Sequence, residues 1–318
     1  MERQRGRGRA RDARTRVTVL VALAANVLIA GAKTAAGLVA GSPALLSEAA
    51  HSVADSLNEV FLLVAVRRSR RPADTRHPFG YGKERYFWAL LAAVGIFVMG
   101  GCFSVYQGVQ AFRTERQESL TGYVAGLAVL GVALLAEGAS LVRALHQARR
   151  EGAGDPALRT VIAEDSTAVA GVLIAAAGIG LHLVTGDVAW EGAASLGIGL
   201  LLGYVAYRLA REARDRLVGE AVAPRLRDGI RGHLAAQPEI DNVAELLTMR
   251  LGLDSMLVAA RVDLVPGLDS ETVELVCVRI KRSVTARWPQ ADQVFLDITE
   301  APGPGEGSAD GGGAGPGP

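Results

Sequence analysis

Five polar side chains on one apolar stretch, Glu48, His51, Asp55, Asn58 and Glu59 within ALLSEAAHSVADSLNEVFLLVAV (residues 44–66), carry the most specific chemical pattern in this sequence. His51 and Asp55 stand four apart, so on a helix they share a face with Cβ atoms about 5–6 Å apart and can both touch one ion. Glu48, three residues earlier, and Asn58, seven residues after His51, extend the same stripe. An imidazole nitrogen beside a carboxylate oxygen suits a divalent transition metal, zinc above all, and tells against calcium or magnesium. Two ligands do not complete a tetrahedral site. A second stretch, VIAEDSTAVAG (residues 161–171), offers Glu164 and Asp165 as further ligands. The bland alternatives are helix capping for that carboxylate pair and a satisfied interhelical polar contact for the stripe.

The elements that must hold these residues are membrane helices. Asp55 lies near the middle of residues 44–66, and an aspartate at the centre of a span costs about 3 kcal/mol even on lenient insertion scales. The stripe therefore faces protein or a polar cavity, and ionisable groups so placed are functional candidates. Half of the 318 residues are hydrophobic and 38 are glycine, which suits close-packed spans. The six expected spans are about 17–40, 44–66, 86–112, 121–147, 160–184 and 188–208, each near the ~20 residues that cross a bilayer. Arg67, Arg68, Arg70, Arg71, Arg76, Lys83 and Arg85 crowd the second connection and Arg143, Arg149, Arg150 and Arg159 the fourth, whereas the joins at Gly41–Pro43 and Gly186–Asp187 are minimal. The positive-inside rule places both termini in the cytoplasm.

Residues 1–15 read as a basic disordered tail, 16–208 as the six-helix transmembrane domain and 209–223 as a linker helix. A compact cytoplasmic α+β domain, α-β-β-α-β, follows over 224–300: a helix at 225–236, strands at 242–251 and 255–265, a helix at 270–287 and a strand at 292–298. The tail from 301 to 318 is Gly/Pro-rich and has no means to form a core. Cys102 and Cys277 form no CxxC pattern and suggest neither a disulfide framework nor a zinc ribbon. The net charge of +1 hides arginine clusters that bear on topology and not on nucleic acid.

LLSEAAHSVADSLNEV, then RHPFGYGKERY, then EDSTAVAGVLI, with six spans and an α-β-β-α-β tail in that order, resembles the cation diffusion facilitator family of metal transporters. The resemblance runs from the first span through the C-terminal domain. It implies a homodimer that exchanges a cytoplasmic divalent cation, Zn²⁺ first, for protons, with two ligands on the second helix and two on the fifth. His51 and Asp55 match the first pair. In the fifth helix Val161 stands where a family ligand is usual, four residues before Asp165. The adjacent Glu164–Asp165 is similar to the branch with the animal mitochondrial and nuclear-linked zinc transporter. Successive helix residues point about 100° apart, so only one of the two is expected to reach the ion, with Asn58 completing the set.

The resemblance also has gaps. Tyr81 replaces a second histidine after HPFG, leaving Asp74 and His77 without an obvious partner, and the loop is read as structural, with Lys83 and Arg85 at the membrane surface. Between residues 225 and 299 His233 is the lone histidine, so no tight zinc site is expected there and dimerisation is the expected use. Asn26 and Lys33 share a face of the first span, and Lys33 can neutralise Glu137; a Lys–Glu pair holding helices together and a proton relay are both open. Asn26, Glu48, Asn58 and Glu137 are thus candidates for an additional metal or proton site. His182 and His146 read as interfacial, and Gly199 with Gly203 as a close-packing pattern. No resident cofactor and no enzyme motif is expected. Membrane lipid and a second copy are the expected partners, and the composition fits a bacterial plasma membrane. A metal sensor or assembly factor using the same ligands without net transport is the other reading.

Overall fold

The computed structural model describes residues 23–24, 26–113, 120–151, 156–252 and 254–299. The basic segment 1–15, the start of the first expected span and the Gly/Pro tail lie outside them. A short apolar helix, α1, covers Asn26–Ala40. Five more are long and apolar enough to cross a membrane: α2 (Pro43–Ser69), α3 (Glu84–Ala111), α4 (Leu120–Glu151), α5 (Pro156–Thr185) and α6 (Ala189–Val218). The chain is an integral, multi-pass membrane protein.

The tight joins rest on glycine. Gly41 and Gly186 take φ of +69° and +73°, a left-handed conformation that side chains resist, so the chain reverses within a few residues. Ser42 then caps α2, its Oγ accepting from the Leu45 amide at 3.2 Å. Leu45, Leu130, Val172, Ile179, Ile198 and Leu202, from α2, α4, α5 and α6, fill the core of the bundle. Leu28, Leu135 and Leu200 are more than 70% exposed on its outside, where lipid solvates them.

Helix α3 is not regular, since Ile96–Cys102 forms a π-helical segment. This widened stretch carries Gly100 and Gly101, which let α3 approach its neighbours. A Cβ on Gly100 would lie 2.7 Å from the Leu202 side chain and 3.8 Å from that of Ala54. One on Gly101 would lie 3.5 Å from the Gly199 carbonyl and 3.6 Å from the Gly203 amide, so the Gly199/Gly203 pattern does mark a close contact.

A second compact unit combines Val66–Tyr86 with the described residues from Arg214 onward. It contains α7 (Pro224–Ala235), β1 (Ile240–Arg250), β2 (Met256–Leu264), α8 (Ser270–Arg287) and β3 (Gln293–Ile298), in the expected order. β2 is central, antiparallel to β1 and parallel to β3, with α8 as the crossover. Strand alternation turns Met256, Val258, Ala260 and Val262 inward onto Ile230, Leu234, Ile280 and Val284 of the two helices. Asp269 caps α8 by accepting from the Thr272 amide at 2.8 Å.

Three expectations change here. Helix α6 continues unbroken past Arg208 to Val218, so residues 209–218 are its last turns and not a separate linker helix. The second connection folds with the C-terminal unit: Tyr86 donates its hydroxyl proton to the Gly252 carbonyl at 3.3 Å, and a Cβ on Gly82 would collide with the Leu251 carbonyl at 2.3 Å. Lys83 is part of this packing, donating to the Leu217 carbonyl at 3.4 Å. Tyr81, finally, is the partner Asp74 lacked in the sequence. Its hydroxyl donates to Asp74 Oδ2 at 2.6 Å, and its ring stacks on His77 with centroids 4.2 Å apart.

Candidate functional site

The N-terminal half of α2 buries Ala44, Ser47, Ala49, Ser52, Ala54 and Ser56, small residues that let neighbouring helices close on its polar stripe. Within that stripe His51 is buried, and its two ring nitrogens meet different carboxylates. Nδ1 lies 3.2 Å from Glu48 Oε1, and Nε2 lies 3.3 Å from Asp55 Oδ2. The backbone of α5 presses on the first contact: a Cβ on Gly171 would stand 2.5 Å from Glu48 Oε1 and 3.0 Å from His51 Nδ1.

Glu48 is itself anchored. Lys33 of α1, 1% exposed, directs its ammonium to Glu48 Oε2 at 3.1 Å, Ser52 Oγ at 2.9 Å and Glu137 Oε1 of α4 at 3.4 Å. An ammonium has three protons, and here each finds an oxygen. An ionised carboxylate only accepts, so when Glu48 is ionised opposite Lys33 the contact takes its proton from His51 Nδ1. Nε2 is then the nitrogen whose lone pair is free to bind an ion when its proton leaves. Asp55 stands beside it with a side chain 43% exposed, so the pair is buried on one side and open on the other.

The remaining sequence candidates fall into separate contacts. Asn58, near Asp55 on α2, donates to Glu164 Oε1 of α5 at 3.3 Å, which makes Glu164 the member of the Glu164–Asp165 pair that reaches α2. Asp165 keeps Oδ2 buried with no hydrogen-bond partner. Asn26 donates to Glu59, a turn beyond Asp55, and so lies apart from His51. Asn26 and Lys33 do share one face of α1, and that face meets α2. Among the described residues no three His, Cys, Asp or Glu side chains stand together as an ion site. The reason lies in the imidazole: Glu48 and Asp55 occupy opposite nitrogens and diverge. The donors are therefore two pairs, His51 with Asp55 and Glu164 with Asn58, and not an assembled tetrad.

Two histidines differ in setting. His146 is exposed, whereas His182, expected at an interface, is buried with its ring 5.4 Å from that of Tyr123. In the C-terminal unit His233 Nε2 is 3.0 Å from Ser283 Oγ and its ring stands edge-on to Trp288. Burial pushes its pKa below the ordinary histidine value. Sequence reasoning missed Glu191, fully buried on α6 and hydrogen-bonded by the Ser42 hydroxyl. An acid in the first turn of a helix is ordinary dipole complementation, so nothing local in the sequence singles it out.

Comparison with known proteins covers most of the chain. The cation efflux transmembrane domain matches residues 19–218. The proton-coupled zinc antiporter SLC30A9, mitochondrial, of Mus musculus is 31% identical over 259 residues, 77% of this chain and 45% of that protein. Metal tolerance protein C4 of Arabidopsis thaliana is 31% identical over 265 residues, 79% of this chain and 58% of its own length. The magnetosome protein MamM of Magnetospirillum gryphiswaldense is 28% identical over 281 residues, 84% of this chain and 82% of that protein. The chain thus spans about half the length of the first two.

Proposed function

The chain belongs to the cation efflux family, and on that footing we propose that it moves a divalent metal cation, zinc first, across a bilayer in exchange for protons. The observation that carries this reading is the arrangement at His51, with Nδ1 committed to Glu48 and Nε2 paired with Asp55. Metal and proton compete for Nε2. With the proton on, the imidazolium bridges two carboxylates. With it off, Nε2 and Asp55 Oδ2 present a nitrogen and an oxygen to one cation. Binding metal therefore releases a proton from the very atom that binds, which is the minimum an exchanger needs. If the bundle changes access only with metal or proton bound, an inward proton gradient drives metal outward.

Glu164 completes the ligand set in this account. It is already tied to α2 through Asn58, and exchanging that neutral donor for a cation is favourable for a carboxylate. Asp165, on the same turn of α5, is the second ligand or its support. Glu48 and Lys33 are not ligands but orient the imidazole, as a carboxylate behind a metal-binding histidine commonly does. Glu137 shares the charge of Lys33. The protein acts as a transporter and not as an enzyme. It works as a homodimer with both termini in the cytoplasm of a bacterial plasma membrane, carries no resident cofactor, and uses its C-terminal unit to assemble.

Reconstitution in proteoliposomes with an internal pH-sensitive dye tests the reading. Zn²⁺ should drive proton counterflow in the wild type, and Asp55→Ala should lose it while inserting normally. Flux retained in Asp55→Ala, or tight zinc binding without flux in the wild type, would contradict it.

A further inference from the structure

Four polar atoms near the beginning of α2 and α6 are buried without a hydrogen-bond partner: Ser47 Oγ, Ser104 Oγ, Ser195 Oγ and Glu191 Oε1. Glu191 and the three serines are all 0% exposed. The packing brings them to neighbouring levels of the bundle. Ala54 of α2, Gly100 of α3 and Leu202 of α6 meet at one level of the bundle. Seven residues along each helix from that level lie Ser47, Gln107 and Ser195, about two turns or 10 Å higher. Ser104 is set by a second pair of contacts. Gly101 stacks on Gly199 and Gly108 on Gly192, so Ser104, between them on antiparallel helices, falls opposite Ser195. Glu191 is one turn before Ser195, its other carboxylate oxygen held by Ser42, the residue that caps α2.

A carboxylate buried with one oxygen bare, beside three hydroxyls equally bare, is costly in a membrane interior unless something polar meets it. The donor set identifies what that is. All donors are oxygens, two of them belong to a carboxyl group, and neither imidazole nor thiolate takes part. Such a set attracts a divalent cation that keeps part of its water, and holds zinc more weakly than a nitrogen-containing site does. Weak holding is what a release step requires, since an ion must leave as readily as it enters. The place fits as well: Ser47 is one turn before His51 on α2, so the cluster continues from the His51–Asp55 pair towards the end of the bundle where α2 and α6 begin.

We infer that Ser47, Ser104, Ser195 and Glu191 line a low-affinity waypoint for the cargo cation between the His51–Asp55 pair and that end of the membrane. The waypoint rests on the transport reading above and adds a second, weaker station to it. Glu191 supplies the charge and Ser42 fixes its rotamer.

The full chain in proteoliposomes supplies the test. Cysteine replaces Ser195 in one variant and Ser104 in another, each with Cys102→Ala and Cys277→Ala, and is exposed to a charged, membrane-impermeant methanethiosulfonate. Both thiols should react, and Zn²⁺ should slow the reaction. In parallel, Glu191→Gln should lower the maximal rate of zinc-driven proton flux on the order of tenfold with the half-maximal zinc concentration nearly unchanged, the signature of a step after binding. Ser195→Ala, which breaks no hydrogen bond of the fold, should insert as well as wild type and show the same change in smaller measure. Inert thiols, or wild-type rates in both Glu191→Gln and Ser195→Ala, would overturn the waypoint. Flux retained in Asp55→Ala would instead remove the His51–Asp55 site while leaving zinc protection of the Ser195→Cys thiol to decide the waypoint separately.

Discussion

The helix bundle and the C-terminal unit bury opposite kinds of side chain. Among the described residues every buried polar or charged side chain, from Lys33 and Glu48 to Glu191 and Ser195, lies in the bundle, and none lies in the C-terminal unit. That unit keeps its charges outside, as in the row where Arg261 bonds Glu245 at 3.1 Å and Asp297 at 2.9 Å across three strands. Its interior is aliphatic. The two units therefore respond to different things. The bundle accepts desolvated charge, part of it paired, as Lys33 is with Glu48 and Glu137, and part of it without a hydrogen-bond partner, as at Glu191 Oε1. The C-terminal unit is stabilised by apolar burial and has the character of a scaffold.

The sharpest way to break this contrast is to unpair a charge in the bundle. Lys33→Met leaves Glu48 and Glu137 without a cation and should cost about 3–5 kcal/mol of bundle stability, the usual penalty for halving a buried pair. The double variant Lys33→Met with Glu48→Gln should recover most of it in a thermal-shift measurement. Recovery without zinc-driven flux would show that the pair serves His51 and not the fold alone. In the C-terminal unit the comparable damage comes from an aliphatic residue. Ile280→Ala should cost that unit about 2–5 kcal/mol by cavity formation, read as earlier loss of its protease resistance. Zinc binding at His51 should be unaffected.

A smaller effect is expected where α5 crosses α2. Gly171→Ala adds a methyl that meets Glu48 Oε1 and His51 Nδ1, groups that cannot retreat without losing each other. The half-maximal zinc concentration should rise with little change in insertion, whereas Gly131→Ala, where no atom lies within 4 Å, should transport as wild type. Least of all is expected from the Asp74–Tyr81 contact on the surface. The Tyr81 hydroxyl, with the His77 and Arg76 amides, holds the Asp74 carboxyl below the ordinary aspartate range. A depressed folded value means that its stabilisation is present above the unfolded pKa of about 3.9 and fades as pH falls through the folded value. Tyr81→Phe should narrow that window slightly in acid titrations of the loop and leave behaviour at neutral pH unchanged.

The sequence was most legible where local pattern and tertiary demand coincide. In the C-terminal unit period-two alternation along 256–264 and the Asp269 cap before 270–287 are local signals, and the elements fall within two residues of expectation. His51 and Asp55 were legible for the same reason, because their contact is set by one turn of one helix. Contacts between helices were not. That Lys33 neutralises Glu48 as well as Glu137 depends on how α1, α2 and α4 pack. The π segment at Ile96–Cys102 follows from the approach of α3 to α6 and leaves no local mark beyond paired glycines. Ser47, Ser104 and Ser195 are individually unremarkable in sequence, and their shared level in the bundle is visible only once three helices are placed. The α2–α5 donors form two locally hydrogen-bonded pairs, Glu164 with Asn58 and His51 with Glu48, and the first, a contact between helices, leaves no mark in the sequence.

On the proposed function, His51 Nε2 and Asp55 bind the transported ion together with a carboxylate of α5. Zinc K-edge X-ray absorption on the loaded full-length protein measures this directly. A four-coordinate first shell at about 2.0–2.1 Å with one imidazole nitrogen and carboxylate oxygens is expected, with loss of the imidazole signature in His51→Ala. An imidazole signal that persists in His51→Ala, or a shell containing sulfur, would contradict it.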